Sequence, residues 1–117
     1  PQKGEVVLDK YFNSAFSGTP LRKLIQSRNI KTLVLTGIAT ESGIETTCRQ
    51  AVIDGYYVVI PTDCVNSGHP EMHRAALKYM ARCAELTTVD ELMGIWSGRK
   101  PRLKKAVAKS GLSGKRV

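Results

Sequence analysis

Four groups of residues in this chain have the types and spacing for chemistry. Lys10 closes the apolar run Val6-Val7-Leu8-Asp9. At the carboxyl end of a strand its ammonium would lower the pKa of a neighbouring acid or hold a developing negative charge; the plain alternative is a surface lysine at a strand end. The second group is the small-residue turn from Thr36 to Thr47, Thr-Gly-Ile-Ala-Thr-Glu-Ser-Gly-Ile-Glu-Thr-Thr. It joins the apolar run Lys31-Thr32-Leu33-Val34-Leu35 to a helical pattern at Ile44, Thr47, Cys48, Ala51 and Val52. Open α/β sheets bind ligands at such a place. Partly free N–H groups of Ser42, Gly43 and Ile44 at a helix start would suit a carboxylate or an oxyanion. Gly43 and Thr40 have ordinary alternatives as a tight helix start and its N-cap. Third, His69 and His73 stand four apart, a spacing that serves zinc on one helix face. Pro70 puts His69 before the helix, and no carboxylate or cysteine cluster completes the set, so no metal is expected and His73 is read as structural, hydrogen-bonded at the sheet end. Finally, Cys48 and Cys83 are expected to pack as small apolar groups.

The elements that must position these residues follow from periodicity. Unalternating apolar runs predict strands over Val6–Leu8, Leu33–Leu35 and Tyr57–Ile60, with a short one over Ala84–Thr87. Helical spacing predicts helices over Pro20–Arg28, Gly43–Asp54, Pro70–Arg82 and Val89–Trp96. Thr88 is expected to cap the last helix, with Glu91 completing a capping box. Strands alternating with helices through short connections mean parallel βαβ units with right-handed crossovers. Asp9 should face away from Lys10 on its strand. Asp54 ends a helix, and Asp63 is an ordinary loop cap.

The turn resembles the nucleophile turn of the isochorismatase-like (cysteine hydrolase) superfamily, and the likeness runs along most of the chain. Val6–Lys10 followed by Asn13-Ser14-Ala15-Phe16-Ser17-Gly18-Thr19-Pro20-Leu21 is similar to a strand ending in a catalytic lysine, then a Ser-Ala-Phe and Thr-x-Leu signature. Arg49–Val65 and Glu71–Leu77 continue the pattern. The resemblance implies a Rossmann-like three-layer α/β/α fold, a parallel sheet with helices on both faces, whose first strands are not in this chain. It implies Lys10 as a catalytic residue and Phe16, Ile38, Ala39, Thr40, Ser42, Gly43 and Ile44 as substrate-binding residues. It also implies a non-proline cis peptide at Ile38–Ala39, no cofactor, and a catalytic aspartate in an earlier segment.

Most of the superfamily has a cysteine where this chain has Gly43, and Cys48, Cys64 and Cys83 lack the motif context. The resemblance is therefore to the branch that hydrates and hydrolyses a vinyl ether, as on isochorismate, without a thiol. The alternative is a non-catalytic relative that binds a small carboxylate or acts in an oligomer.

Composition adds bounds. The sequence has 117 residues, 42% hydrophobic, enough for a globular domain that buries roughly two thirds of its chain surface. Apolar runs fall far short of the roughly 20 residues needed to span a bilayer, so no membrane partner is expected. Three cysteines in unrelated contexts suit a reducing compartment, and cytoplasm is the default. The net charge of +8 comes entirely from residues 97–117, which hold eight cations and no acid, while residues 1–96 balance. We read residues 1–96 as a partial α/β domain and 97–117 as a basic, flexible tail, either a solubilising extension or a contact for nucleic acid or another acidic surface. A sheet lacking its first strands would leave an apolar edge, so a homo-oligomer or a partner segment is expected beside the small-molecule substrate.

Overall fold

The structure, a computed structural model, describes residues 1–100. Most of the basic tail lies outside the described residues. The architecture is mixed α/β with parallel strands, as expected. Helix α1 spans Leu21–Ser27, strand β1 Thr32–Val34, β2 Gly37–Ile38, α2 Glu45–Ile53, β3 Tyr57–Pro61, β4 Val65–Asn66, α3 Pro70–Met80, β5 Glu85–Thr87 and α4 Val89–Trp96. Strands β1, β3 and β5 form one parallel sheet in the order β1-β3-β5, with Leu33 opposite Val58 and Ile60 opposite Leu86. The short strands β2 and β4 form a second parallel pair, Gly37 opposite Val65 and Ile38 opposite Asn66. Two residues are too few for a hydrophobic pattern to announce a strand, and the sequence reading missed both.

The core lies between the larger sheet and α2 and α3. Ile60, Met80 and Cys48 are fully buried, joined by Ile44, Ala51, Val58, Val65 and Ala76. The 44, 47/48, 51 spacing read from the sequence is the face that α2 buries. Helices α1, α2 and α4 all stop the same way. In α2, Gly55 takes φ +87°, the Tyr56 N–H bonds the Ala51 carbonyl and the Gly55 N–H that of Val52. That double bond satisfies carbonyls the helix leaves open, and only a residue tolerant of positive φ can make it. In α1 the same position is Asn29, φ +53°, an asparagine being the next most tolerant residue.

Three expectations need correction. Residues 6–8 form no strand; Val6 and Val7 are 47% and 67% exposed. An apolar run becomes a strand only by pairing, and none of the described strands pairs with it; β1 meets β3 and leaves its other edge unpaired among the described residues. The second helix does not begin at Gly43: a π-helical turn over Thr40–Ile44 precedes it. At α4, Thr88 Oγ1 accepts the Glu91 N–H at 3.3 Å, as expected, but the Glu91 carboxylate accepts the Thr87 hydroxyl at 2.8 Å instead of closing the box. Asp63 completes that cap by accepting the Val89 N–H at 3.0 Å. Asp54 is equally structural, ion-paired with Arg22 of α1 and bonded by Gln50 at 3.0 Å.

Candidate functional site

The π turn, β2 and the segment before α1 enclose a small cleft of about 160 Å³ lined by Lys10, Ala15, Leu35, Thr36, Ile38, Gly43, Ile44 and Thr47. Lys10 arrives on an irregular segment, so local bonds position it in place of a strand. Its Nζ donates to the carbonyls of Phe12 at 3.0 Å and Asn13 at 3.3 Å. An ammonium has three donors, so one is left for a guest. The segment is anchored to α2, because Thr47 Oγ1 accepts the Ala15 N–H at 3.0 Å.

Gly43 faces that ammonium. A β-carbon built on Gly43 would stand 3.8 Å from Lys10 Nζ, 3.6 Å from the Asn13 carbonyl oxygen and 3.9 Å from that of Ile38. A side chain at residue 43 would therefore point at the lysine, and glycine leaves that space to a ligand. The peptide bond between Ile38 and Ala39 is cis.

The structure brings four of the predicted site residues to the cleft: Lys10, Ile38, Gly43 and Ile44. The others are close in sequence but do other work. The Ala39 carbonyl accepts the Ser42 and Ile44 N–H groups at 3.2 and 3.3 Å, so these two are not open to an anion, contrary to the expectation. The Ile44 bond spans five residues, as a π turn does, and the Ser42 bond spans three, so one carbonyl takes both. Thr40 is no N-cap: fully buried, its hydroxyl bonds His73 Nδ1 of α3 at 2.7 Å. His73 thus has the structural role expected of it. Ser42 Oγ lies 3.4 Å from the Ala39 carbonyl. Phe16 is only 7% exposed and does not line the cleft; it stacks on Tyr56 at 6.4 Å between ring centres, with the Arg22 guanidinium 5.2 Å away on its ring.

Ala15, Leu35, Thr36 and Thr47 also line the cleft; the sequence placed them in the motif, the strand and the turn but not among the substrate-binding residues. Thr36 follows the apolar run of β1, and a polar residue at a strand's carboxyl end was the signal available. Glu41, within the turn, accepts the Ser67 hydroxyl at 2.7 Å. That bond, helped by its own backbone and by His69 and His73, holds its carboxyl below the usual range. It does not line the cleft. His69 caps α3 through its backbone, and no group of three or more potential metal ligands occurs among the described residues.

Residues 1–91 match the isochorismatase domain. The chain belongs to the isochorismatase family. It is 38% identical over 78 residues to the ureidoacrylate amidohydrolase RutB of Methylobacterium radiotolerans, covering 66% of this chain and 30% of that protein. It is 36% identical over 77 residues to the maleamate amidohydrolase of Pseudomonas putida, covering 66% and 36%. An isochorismatase-like hydrolase from Alkaliphilus metalliredigens superposes with a TM-score of 0.79 at 30% identity, covering 82% of this chain and 53% of that one. The chain thus spans about a third of the length of these two curated relatives and about half of the solved one. In this isochorismatase-family chain the cis bond lies where the sequence resemblance put it, one turn from the Lys10–Gly43 pair.

Proposed function

We propose that this chain supplies part of a small-molecule hydrolase site, in which water and not a cysteine attacks the substrate and the substrate class is a vinyl ether bearing a carboxylate. The observation that carries the reading is Gly43 facing Lys10 Nζ across the cleft: a position whose side chain would stand beside the ammonium carries none, and so no thiol. Cys48, the nearest thiol in sequence, is fully buried, and burial pushes it up to about 12, which keeps it protonated at neutral pH.

A vinyl ether is hydrolysed by protonating its terminal carbon, adding water to the resulting oxocarbenium and expelling the alcohol. In this reading the free donor of Lys10 holds the substrate carboxylate, or the carboxylate of the acid that delivers the proton. No Asp or Glu lines the cleft among the described residues; in this reading the acid is supplied by polypeptide outside them.

The relatives named as amidohydrolases favour a second reading, amide hydrolysis in the same cleft. The protein as it occurs in its cells should be assayed against isochorismate, other small enol ethers and small amides, beside Lys10→Ala. Ether turnover that falls at least 100-fold in the variant, with its fold retained, supports the proposal. Amide turnover alone gives the second reading. Stabilisation by a small carboxylate with no turnover of either class means a binding protein and overturns both.

A further inference from the structure

Away from the cleft, helix α4 shows an apolar face that nothing among the described residues covers. Val89, Met93 and Trp96 are 39%, 53% and 66% exposed. At 3.6 residues per turn the three fall within about 60° of one another, a single stripe along the helix. Leu92, beside the stripe, is the residue α4 buries. On the other flank stand Asp90 and Gly94, and over them lies the Arg99 guanidinium. It donates to the Asp90 carbonyl at 2.9 Å, stands 3.8 Å from the Asp90 carboxylate and fills the space a β-carbon on Gly94 would take. The stripe is thus bounded by the buried side of the helix and by Arg99, and open between them. The match to the isochorismatase domain ends at residue 91, so Met93 and Trp96 lie beyond the part of the chain that the family pattern accounts for.

Charge selects the occupant. Asp63, whose carboxylate accepts the Val89 N–H, gathers with Asp90 and Glu91 at the start of α4, and Arg99 and Lys100 follow its end. A second α4 laid along the stripe in the opposite direction meets acid with base at both ends and sets the two helix dipoles antiparallel. Laid in the same direction, it would meet acid with acid and base with base. The antiparallel arrangement also closes on a two-fold axis, because Met93 is near the middle of a stripe that runs from Val89 to Trp96. Each Met93 then packs on its own counterpart, and each Val89 on the Trp96 of the other copy.

We propose that α4 is a self-association surface, on which a second copy of this chain docks its own α4 antiparallel through Val89, Met93 and Trp96. An exposed apolar stripe with a charged rim is the surface such a contact needs, and a tryptophan at its end is the residue type that anchors one. One helix face is less than the roughly 800 Å² per partner of a standard interface, so the dimer is a weak one that forms and parts with concentration.

Trp96 is the chain's one tryptophan, so its emission reports the contact. The test is sedimentation equilibrium of the full chain from about micromolar to about millimolar concentration, with the emission followed on the same samples. The expected result is a reversible monomer–dimer equilibrium in which the emission moves to the blue as the dimer grows. Met93→Glu and Met93→Lys change an exposed position, so both variants should keep their circular dichroism. Each should raise the dissociation constant roughly tenfold or more by setting like charges face to face. An equimolar mixture of the two should dimerise again, which requires residue 93 to meet its counterpart. A monomer at every concentration, association untouched by either variant, or a mixture that stays monomeric would each overturn the proposal. So would an emission already blue and independent of concentration, the mark of a face covered by other polypeptide.

Discussion

Gly43→Ala separates packing from chemistry at the position facing Lys10. Gly43 is not among the glycines with positive φ, so an L side chain meets no backbone strain there. The added methyl would contact the Asn13 carbonyl at 3.6 Å, Lys10 Nζ at 3.8 Å and the Ile38 carbonyl at 3.9 Å, all ordinary van der Waals distances. Alanine in a helical turn is favoured over glycine by roughly 0.5–1 kcal/mol, chiefly because the unfolded chain loses less entropy. The variant should therefore be more stable, with a midpoint raised by about 2–8 °C for a chain of this size. In the cleft the effect is opposite, since a methyl group takes space from about 160 Å³ beside the one free ammonium donor. Binding of a small carboxylate should weaken several-fold. Thermal and urea unfolding of the full chain, read by circular dichroism, give the stability; ligand-induced shifts in the midpoint give the binding. A variant destabilised by more than about 1 kcal/mol would mean the fold itself demands glycine, a loss outside the range expected for an unstrained Gly-to-Ala change. The missing side chain would then say nothing about the nucleophile.

Two further predictions concern the scaffold. Thr40→Val keeps the buried shape but strands His73 Nδ1, which should cost about 1–3 kcal/mol in urea unfolding, whereas Thr40→Ser retains the bond and should lose less; a valine variant as stable as the parent would show that the bond contributes nothing. Cys48 gives a pH dependence of definite sign. Its folded pKa is raised, to about 12, so the stability it contributes is fully present below the unfolded thiol's value and is lost as pH rises toward the folded one. Between pH of about 8.5 and 12 the unfolded chain has released the proton and the folded chain has not, a slope approaching about −1.4 kcal/mol per pH unit. Urea midpoints at pH 7 to 10.5 should show that slope in the parent and lack it in Cys48→Ala; equal slopes would place Cys48 in a more polar setting than burial indicates.

The parts of this fold legible in the sequence are those decided within a few residues of themselves. The face buried by α2 was written in the spacing of Ile44, Thr47, Cys48 and Ala51, because a helix alone determines which residues share a side. Asp63 and Thr88 were readable as caps for the same reason: an orphan N–H takes the nearest short acceptor. What was not legible depends on a partner distant in sequence. Val6–Leu8 has strand composition, yet composition supplies no second ladder, and without one the segment stays irregular. Ser42 and Ile44 are the exception, since their partner is local: they looked like free donors because a π turn in place of a plain helix start leaves no mark in the composition. Phe16 sits beside Ser14 and Ala15 in a site-like motif, but Tyr56 and Arg22, from two other elements, draw it into the core. Lys10 is the instructive case. Its strand is absent, yet its amine reaches the cleft, because the carbonyls of Phe12 and Asn13 hold it and the Thr47 hydroxyl holds the loop that carries them. A side chain can thus reach the cleft expected of it while the element expected to carry it is absent: the carbonyls of Phe12 and Asn13 aim the amine without a strand around them.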